Sequence, residues 1–109
     1  TVLRLRNMVT SEELEDDAEY QDIGQDVAME CASSGRVTGI IIPRLKEGYP
    51  HDLQGDICVQ FSTERDALSA GTKLCGRKFS GRTVKVDYLD PELFKNWNRQ
   101  HGTVPNVKY

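Results

Sequence analysis

A chain of 109 residues has room for one small domain, with a core limited to one sheet face and two helices. No apolar run exceeds three residues, as in Ile40-Ile41-Ile42, which excludes a membrane-spanning helix, and three irregularly spaced cysteines (Cys31, Cys58, Cys75) argue for reduced thiols rather than a disulfide framework. The net charge of −3 hides an asymmetry, because residues 11–30 hold nine of the 17 acids and no Lys or Arg, leaving eight acids against 14 bases, or +6, elsewhere.

Residues 2–8 alternate and read as a strand, ended by the turn-like Val9-Thr10-Ser11. From about Asp16 to Ser33 the spacing of Tyr20, Ile23, Val27 and Cys31 is helical, with Ser34-Gly35 as the stop. Gly24 is a weak point inside that helix, costing up to ~1 kcal/mol against Ala. Val37 to Pro43 is β-branched and reads as a second strand, residues 44–54 as a loop, and Asp56 to Phe61 as a third strand. Thr63-Glu64-Arg65-Asp66 opens a second helix through Ala67, Leu68, Ala70 and Leu74. Gly76 to Gly81 reads as a loop and Thr83 to Tyr88 as a fourth strand. Asp90-Pro91-Glu92 then supplies an N-cap with proline at the first helical position, opening a short third helix with Leu93, Phe94 and Trp97. The tail from Gly102 has no periodicity. Because the chain opens directly in an apolar strand, it reads as a piece of a longer protein.

The expected order is β-α-β-β-α-β followed by a helix. That is an α+β, ferredoxin-like arrangement in which a four-stranded antiparallel sheet carries two helices on one face. Two of its strands resemble the RNP motifs of an RNA recognition motif (RRM). Gln54-Gly55-Asp56-Ile57-Cys58-Val59-Gln60-Phe61 fits the longer motif at its Gly, Val and final Phe, but Asp56 and Cys58 stand where aromatics belong. Leu3-Arg4-Leu5-Arg6-Asn7-Met8 carries Arg4 at the ring position of the shorter motif. An RRM sheet reads bases mainly by stacking them on those rings, so the scaffold is expected without its RNA surface. The third helix is expected to lie across that face.

The chemistry gathers in two places. Asp22, Asp26 and Glu30, at i, i+4 and i+8, share one helix face within roughly 80°. An acidic run is most often a solvated face that aids solubility; as a binding feature it attracts basic partners and repels phosphate. Arg77-Lys78-Phe79 stands in the loop before the fourth strand. Phe79 there reads either as a loop anchor against the second helix or as a platform on which a ligand ring stacks beside the Arg77 guanidinium.

Together these features resemble the UHM family, the U2 auxiliary factor homology motif, whose members are altered RRMs with degenerate RNP motifs, an acidic first helix and an Arg-x-Phe loop. Arg77-Lys78-Phe79 matches the loop, Asp22, Asp26 and Glu30 match the acids, and Val2 to Val9, Glu19-Tyr20-Gln21-Asp22-Ile23 and Glu30-Cys31 extend the likeness over about residues 2–97. The resemblance implies a domain over 1–99 with a tail at 100–109. It implies a nuclear, non-enzymatic module that binds Trp-containing basic peptides, the UHM-ligand motifs of splicing factors, at 3′ splice-site recognition. A branch-point-binding protein and a Trp-rich scaffold of the U2 snRNP are the partners it suggests. Carried over residue by residue, Phe79 stacks on the ligand Trp, Arg77 pairs with Glu30 and closes the pocket, and Asp22 and Asp26 receive the ligand's bases.

Other readings make different demands. An RNA-binding domain would use loops or basic residues such as Arg4, Arg6, Lys85 and Arg99. An enzyme would need a nucleophile paired with a histidine, or a credible acid–base dyad, and the sequence offers neither. His51 and His101 have no Cys or His neighbour at metal-ligand spacing, so no metal or cofactor is expected. Lys95-Asn96-Trp97-Asn98 is faintly like a ligand motif itself. Trp97 is expected to pack the last helix on the sheet, with weak self-association through a neighbour's pocket as the minor alternative.

Overall fold

Alternating apolar positions build a four-stranded antiparallel sheet, with order β2-β3-β1-β6, from β1 (Val2–Arg6), β2 (Val37–Ile41), β3 (Ile57–Phe61) and β6 (Lys85–Leu89). The computed structural model describes residues 2–44, 49, 55–79, 81–105 and 107, apart from the side chains of Ser11, Glu12 and Phe79. Most of the 44–54 loop therefore lies outside the described residues. β1 is central, with Arg4 opposite Cys58 of β3 on one side and Asp87 of β6 on the other.

The period of two sorts the side chains onto two faces. Leu3, Leu5, Ile40, Ile57, Val59 and Phe61 face α2 (Asp17–Ala32) and α3 (Glu64–Leu74), which contribute Tyr20, Val27, Ala28 and Cys31, and Ala67, Ala70 and Leu74. On the other face Val2, Ile41 and Cys58 form a second cluster with Tyr49 and Phe94, the latter on α4 (Pro91–His101). The last helix thus crosses the sheet as expected. Asp90 starts it, accepting a hydrogen bond from the Glu92 N–H at 2.9 Å, with proline in the first turn.

Three local features depart from expectation. Val9-Thr10-Ser11 is not merely a turn: Thr10 caps a short helix, α1 (Ser11–Glu15). The Glu13 N–H donates to Thr10 Oγ1 at 3.3 Å, and the Thr10 N–H donates back to Glu13 Oε1 at 3.1 Å, a reciprocal capping box. The expected loop at 76–81 contains a hairpin, β4 (Lys78–Phe79) and β5 (Arg82–Thr83), with Phe79 opposite Arg82. Gly81, at φ +82°, makes the tight reversal feasible. The fourth strand accordingly divides at the buried Val84.

Third, described residues beyond the last helix pack onto the domain. α4 runs to His101, and Val104 is buried with its N–H donating to the Ile40 carbonyl at 2.9 Å. Gln21 Nε2 donates to the Pro105 carbonyl at 3.0 Å. Gly24 then has a positive role: a Cβ there would lie 2.8 Å from Val104 Cγ1, so the missing side chain is the space the tail occupies.

Arg44 fastens the opening of α2 to the end of β2. Its Nη1 donates to Asp17 Oδ1 at 2.8 Å and to the Leu14 carbonyl at 3.3 Å, while its guanidinium lies 3.8 Å above the Tyr20 ring.

Candidate functional site

The face on which an RRM stacks bases is occupied by the protein's own residues. Arg4 and Asp56 pair with each other, Arg4 Nε donating to Asp56 Oδ2 at 2.6 Å. Asp56 is only 3% exposed, so this pair keeps a buried carboxylate compensated. Cys58 lies fully buried in the cluster that Phe94 closes. Burial, with the Asp56 charge adding to it, pushes the Cys58 thiol up to about 12. Of the three motif departures, Cys58 is thus the one that fits beneath the covering helix, while Arg4 and Asp56 satisfy each other. A ring at position 58 would compete for the space that Phe94 fills.

An opening lies on the helix side. A cavity of about 390 Å³ is lined by Leu5, Met8, Val27, Cys31, Leu74 and Val84 below, and by Asp26, Glu30, Arg77 and Lys78 at the lip. Its size is that of a small ligand or side-chain site, and an apolar floor beneath a few polar groups is the usual composition of one. The floor belongs to the main core. The lip has two origins, one turn of α2 for the acids and the start of the β4 hairpin for the bases. Cys31 in the floor is held as a thiol, raised to about 12 by burial and then by the Glu30 charge.

Arg77 Nη1 is ion-paired with Glu30 Oε1 across the mouth. The two side chains are 57% and 36% exposed, so water competes for the pair and it is held only weakly. The base of the hairpin is fixed by backbone bonds: the Arg77 N–H donates to the Leu74 carbonyl at 3.1 Å, and the Val84 N–H to the Arg77 carbonyl at 2.8 Å.

The site residues expected from sequence distribute as follows. Asp26, Glu30, Arg77 and Lys78 come together around the cavity. Asp22 is exposed on the same helix one turn before Asp26 and does not line the cavity. The backbone of Phe79 pairs with Arg82, and its side chain lies outside the described residues. Trp97, on which self-association would depend, is partly buried on α4 and meets Tyr49 edge-on at 5.6 Å between ring centres.

Sequence reasoning passed over Glu13 and Arg82. Arg82 Nη2 lies 3.0 Å from Glu13 Oε1, and its Nη1 donates to the carbonyl of Met8, a floor residue, at 3.3 Å. Burial acts to raise the Glu13 carboxyl, but its hydrogen bonds with Thr10 and the Arg82 charge outweigh that and hold it below its ordinary value. The legible signal was Thr10-Ser11-Glu12-Glu13, which has the form of a capping box.

No family model matches the chain. It is 37% identical over 94 residues to a large-subunit U2af splicing factor of Nicotiana plumbaginifolia, covering 85% of this chain and 17% of that protein. It is 34% identical over 94 residues to a large-subunit U2af splicing factor of Triticum aestivum, covering 85% and 17%. With the serine/threonine-protein kinase Kist of Homo sapiens it shares 31% identity over 94 residues, covering 86% of this chain and 21% of the kinase. The chain thus spans about a fifth or less of these relatives. Among solved structures it is similar to RNA recognition domains 1 and 2 of Sex-lethal from Drosophila melanogaster, with TM-score 0.57, 25% identity, and coverage of 88% of this chain and 54% of that one.

Proposed function

The chain belongs to the UHM family of altered RRM domains, and from that premise we propose that it is a protein-interaction module of a pre-mRNA splicing protein. Its ligand is a disordered segment in which Lys or Arg residues accompany one Trp. The domain works by binding rather than by catalysis, in the nucleus, during recognition of the 3′ splice site. A branch-point-binding protein and a Trp-rich scaffold of the U2 snRNP are the partners that fit.

One observation carries the reading: a cavity with an apolar floor, and a lip where Asp26 and Glu30 of α2 face Arg77 and Lys78, stands open on the helix side while the base-stacking face is covered by α4. The indole enters over Leu5, Val27, Leu74 and Val84, and the ligand's bases meet Asp26 and, further along the helix, Asp22. Arg77, paired with Glu30, closes over the ring, with Phe79 as the stacking partner and Lys78 at the edge. Magnitudes decide which group dominates. Burying 150–250 Å² of indole contributes roughly 4–6 kcal/mol before ordering costs, against ~0.2–1 kcal/mol for each exposed ion pair. The ring therefore supplies most of the affinity, and the charges steer and orient.

Calorimetric titration tests this with a Lys/Arg-rich peptide containing one Trp, beside its Trp→Ala form. The expected result is micromolar binding, about −8 kcal/mol, that disappears with the Trp and weakens strongly in Phe79→Ala. Absence of binding to either peptide, together with binding to oligouridine that falls steeply with salt, would overturn it in favour of an RNA-binding domain.

A further inference from the structure

The hairpin at the cavity is too small to stand alone. Each strand has two residues, and even longer two-stranded hairpins are marginal in water. The Arg77 N–H bond to the Leu74 carbonyl holds only the base of its first strand, so something further must keep the rest of the hairpin in place at the lip. The Arg77–Glu30 pair is poorly suited, being well exposed and standing where a ligand enters. The second strand is tied down elsewhere. Arg82 reaches Glu13 Oε1 at 3.0 Å and the Met8 carbonyl at 3.3 Å, and Asn7 Nδ2 donates to the Thr83 carbonyl at 3.1 Å. Asn7 itself sits at φ +64°, a backbone setting that Asn tolerates better than most residues. Glu13 is fixed in turn by the capping box with Thr10.

We infer that Arg82, braced by Glu13 of α1, is a positioning residue for the peptide pocket: it anchors the hairpin through its second strand and so sets the place of Arg77 and Lys78 at the lip and of the Phe79 backbone beside them. The inference rests on the peptide-binding reading. Arg82 is opposite Phe79 in the hairpin register, so loosening it moves the residue expected to stack on the ligand. Arg82 also ties that movement to the floor, because Met8 lines the cavity. A guanidinium suits the task, since its planar fork serves two acceptors at once where an ammonium is a single point charge.

The experiment has two readouts on Arg82→Ala and Arg82→Lys: calorimetric affinity for the single-Trp peptide, and amide hydrogen exchange in the free protein. The expected result is affinity lowered roughly tenfold in Arg82→Ala and partly recovered in Arg82→Lys. With it, exchange quickens at the Val84 amide, which bonds to the Arg77 carbonyl, but not at the amides joining β1 and β3. Affinity within twofold of the original, or unchanged exchange at Val84, overturns the inference. Should Arg82→Ala lose protection throughout the sheet, Glu13→Gln replaces it, since it keeps an acceptor for Thr10 while removing the charge that faces Arg82; the same two readouts then decide. Failure of the unaltered protein to bind the peptide sinks the functional reading instead, and the exchange measurement still judges the brace.

Discussion

Cys58 and Arg4 take the places of two stacking rings, and the structure gives each a different task. Cys58 is small enough to lie beneath Phe94, and Arg4 neutralises the carboxylate of Asp56 that burial would otherwise penalise. The thiols follow the same logic. Cys31 and Cys58 are buried and raised to about 12, whereas Cys75 is exposed at the end of α3. Thiolate is the reactive form, so its population at pH 8 is minute for the buried pair. In native buffer at pH 8 an aromatic disulfide reagent should therefore titrate one thiol promptly, with the other two appearing only in denaturant. Prompt release from all three would contradict the burial of Cys31 under the cavity and of Cys58 under α4.

At the scale of elements, the fit between α2 and the tail makes an unusual prediction of sign. Ala is the better helix former than Gly by ~0.8–1 kcal/mol, but a methyl at 24 meets Val104 at 2.8 Å. Overpacking of that kind costs ~1–3 kcal/mol. Gly24→Ala should destabilise the full chain in urea denaturation and stabilise a chain ended at His101. The same sign in both backgrounds would mean that the tail does not hold the position. This pair also marks the limit of legibility. The strands and long helices were readable because their periodicities are local, and so was the cap at Asp90. Val104 against Gly24 was not, since neither residue announces a partner some eighty positions away. α1 and the hairpin were missed because five and two residues carry no period; their only signals were Thr10 with Glu13 and Ser80-Gly81. At the site, Asp26, Glu30, Arg77 and Lys78 were legible through charge spacing and resemblance. The floor residues Leu5, Leu74 and Val84 were not singled out, because a cavity lining has the composition of core.

For the molecule as a whole, the proposed function makes charge separation the feature that would steer a ligand's arrival. The nine acids of residues 11–30 stand against a remainder that carries +6, and under the proposed function that asymmetry would draw in a basic peptide. Screening shortens that field to about 8 Å at physiological salt. Stopped-flow fluorescence of the peptide Trp should show the association rate falling several-fold between 50 and 300 mM salt while dissociation changes little. A salt effect confined to dissociation would place the charges in the bound complex instead of in the approach.

The Val104 N–H bond to Ile40 has one more consequence. β2 is an outer strand of the sheet, and such strands present unsatisfied backbone groups that invite another chain to add on. The tail supplies part of that hydrogen bonding from within the molecule. On the opposite margin β6 sets Lys85 and Asp87 on one face, charges that disfavour stacking by a flat apolar strand. Val104, which looks dispensable in its irregular surroundings, thereby occupies part of an edge on which another strand could otherwise pair.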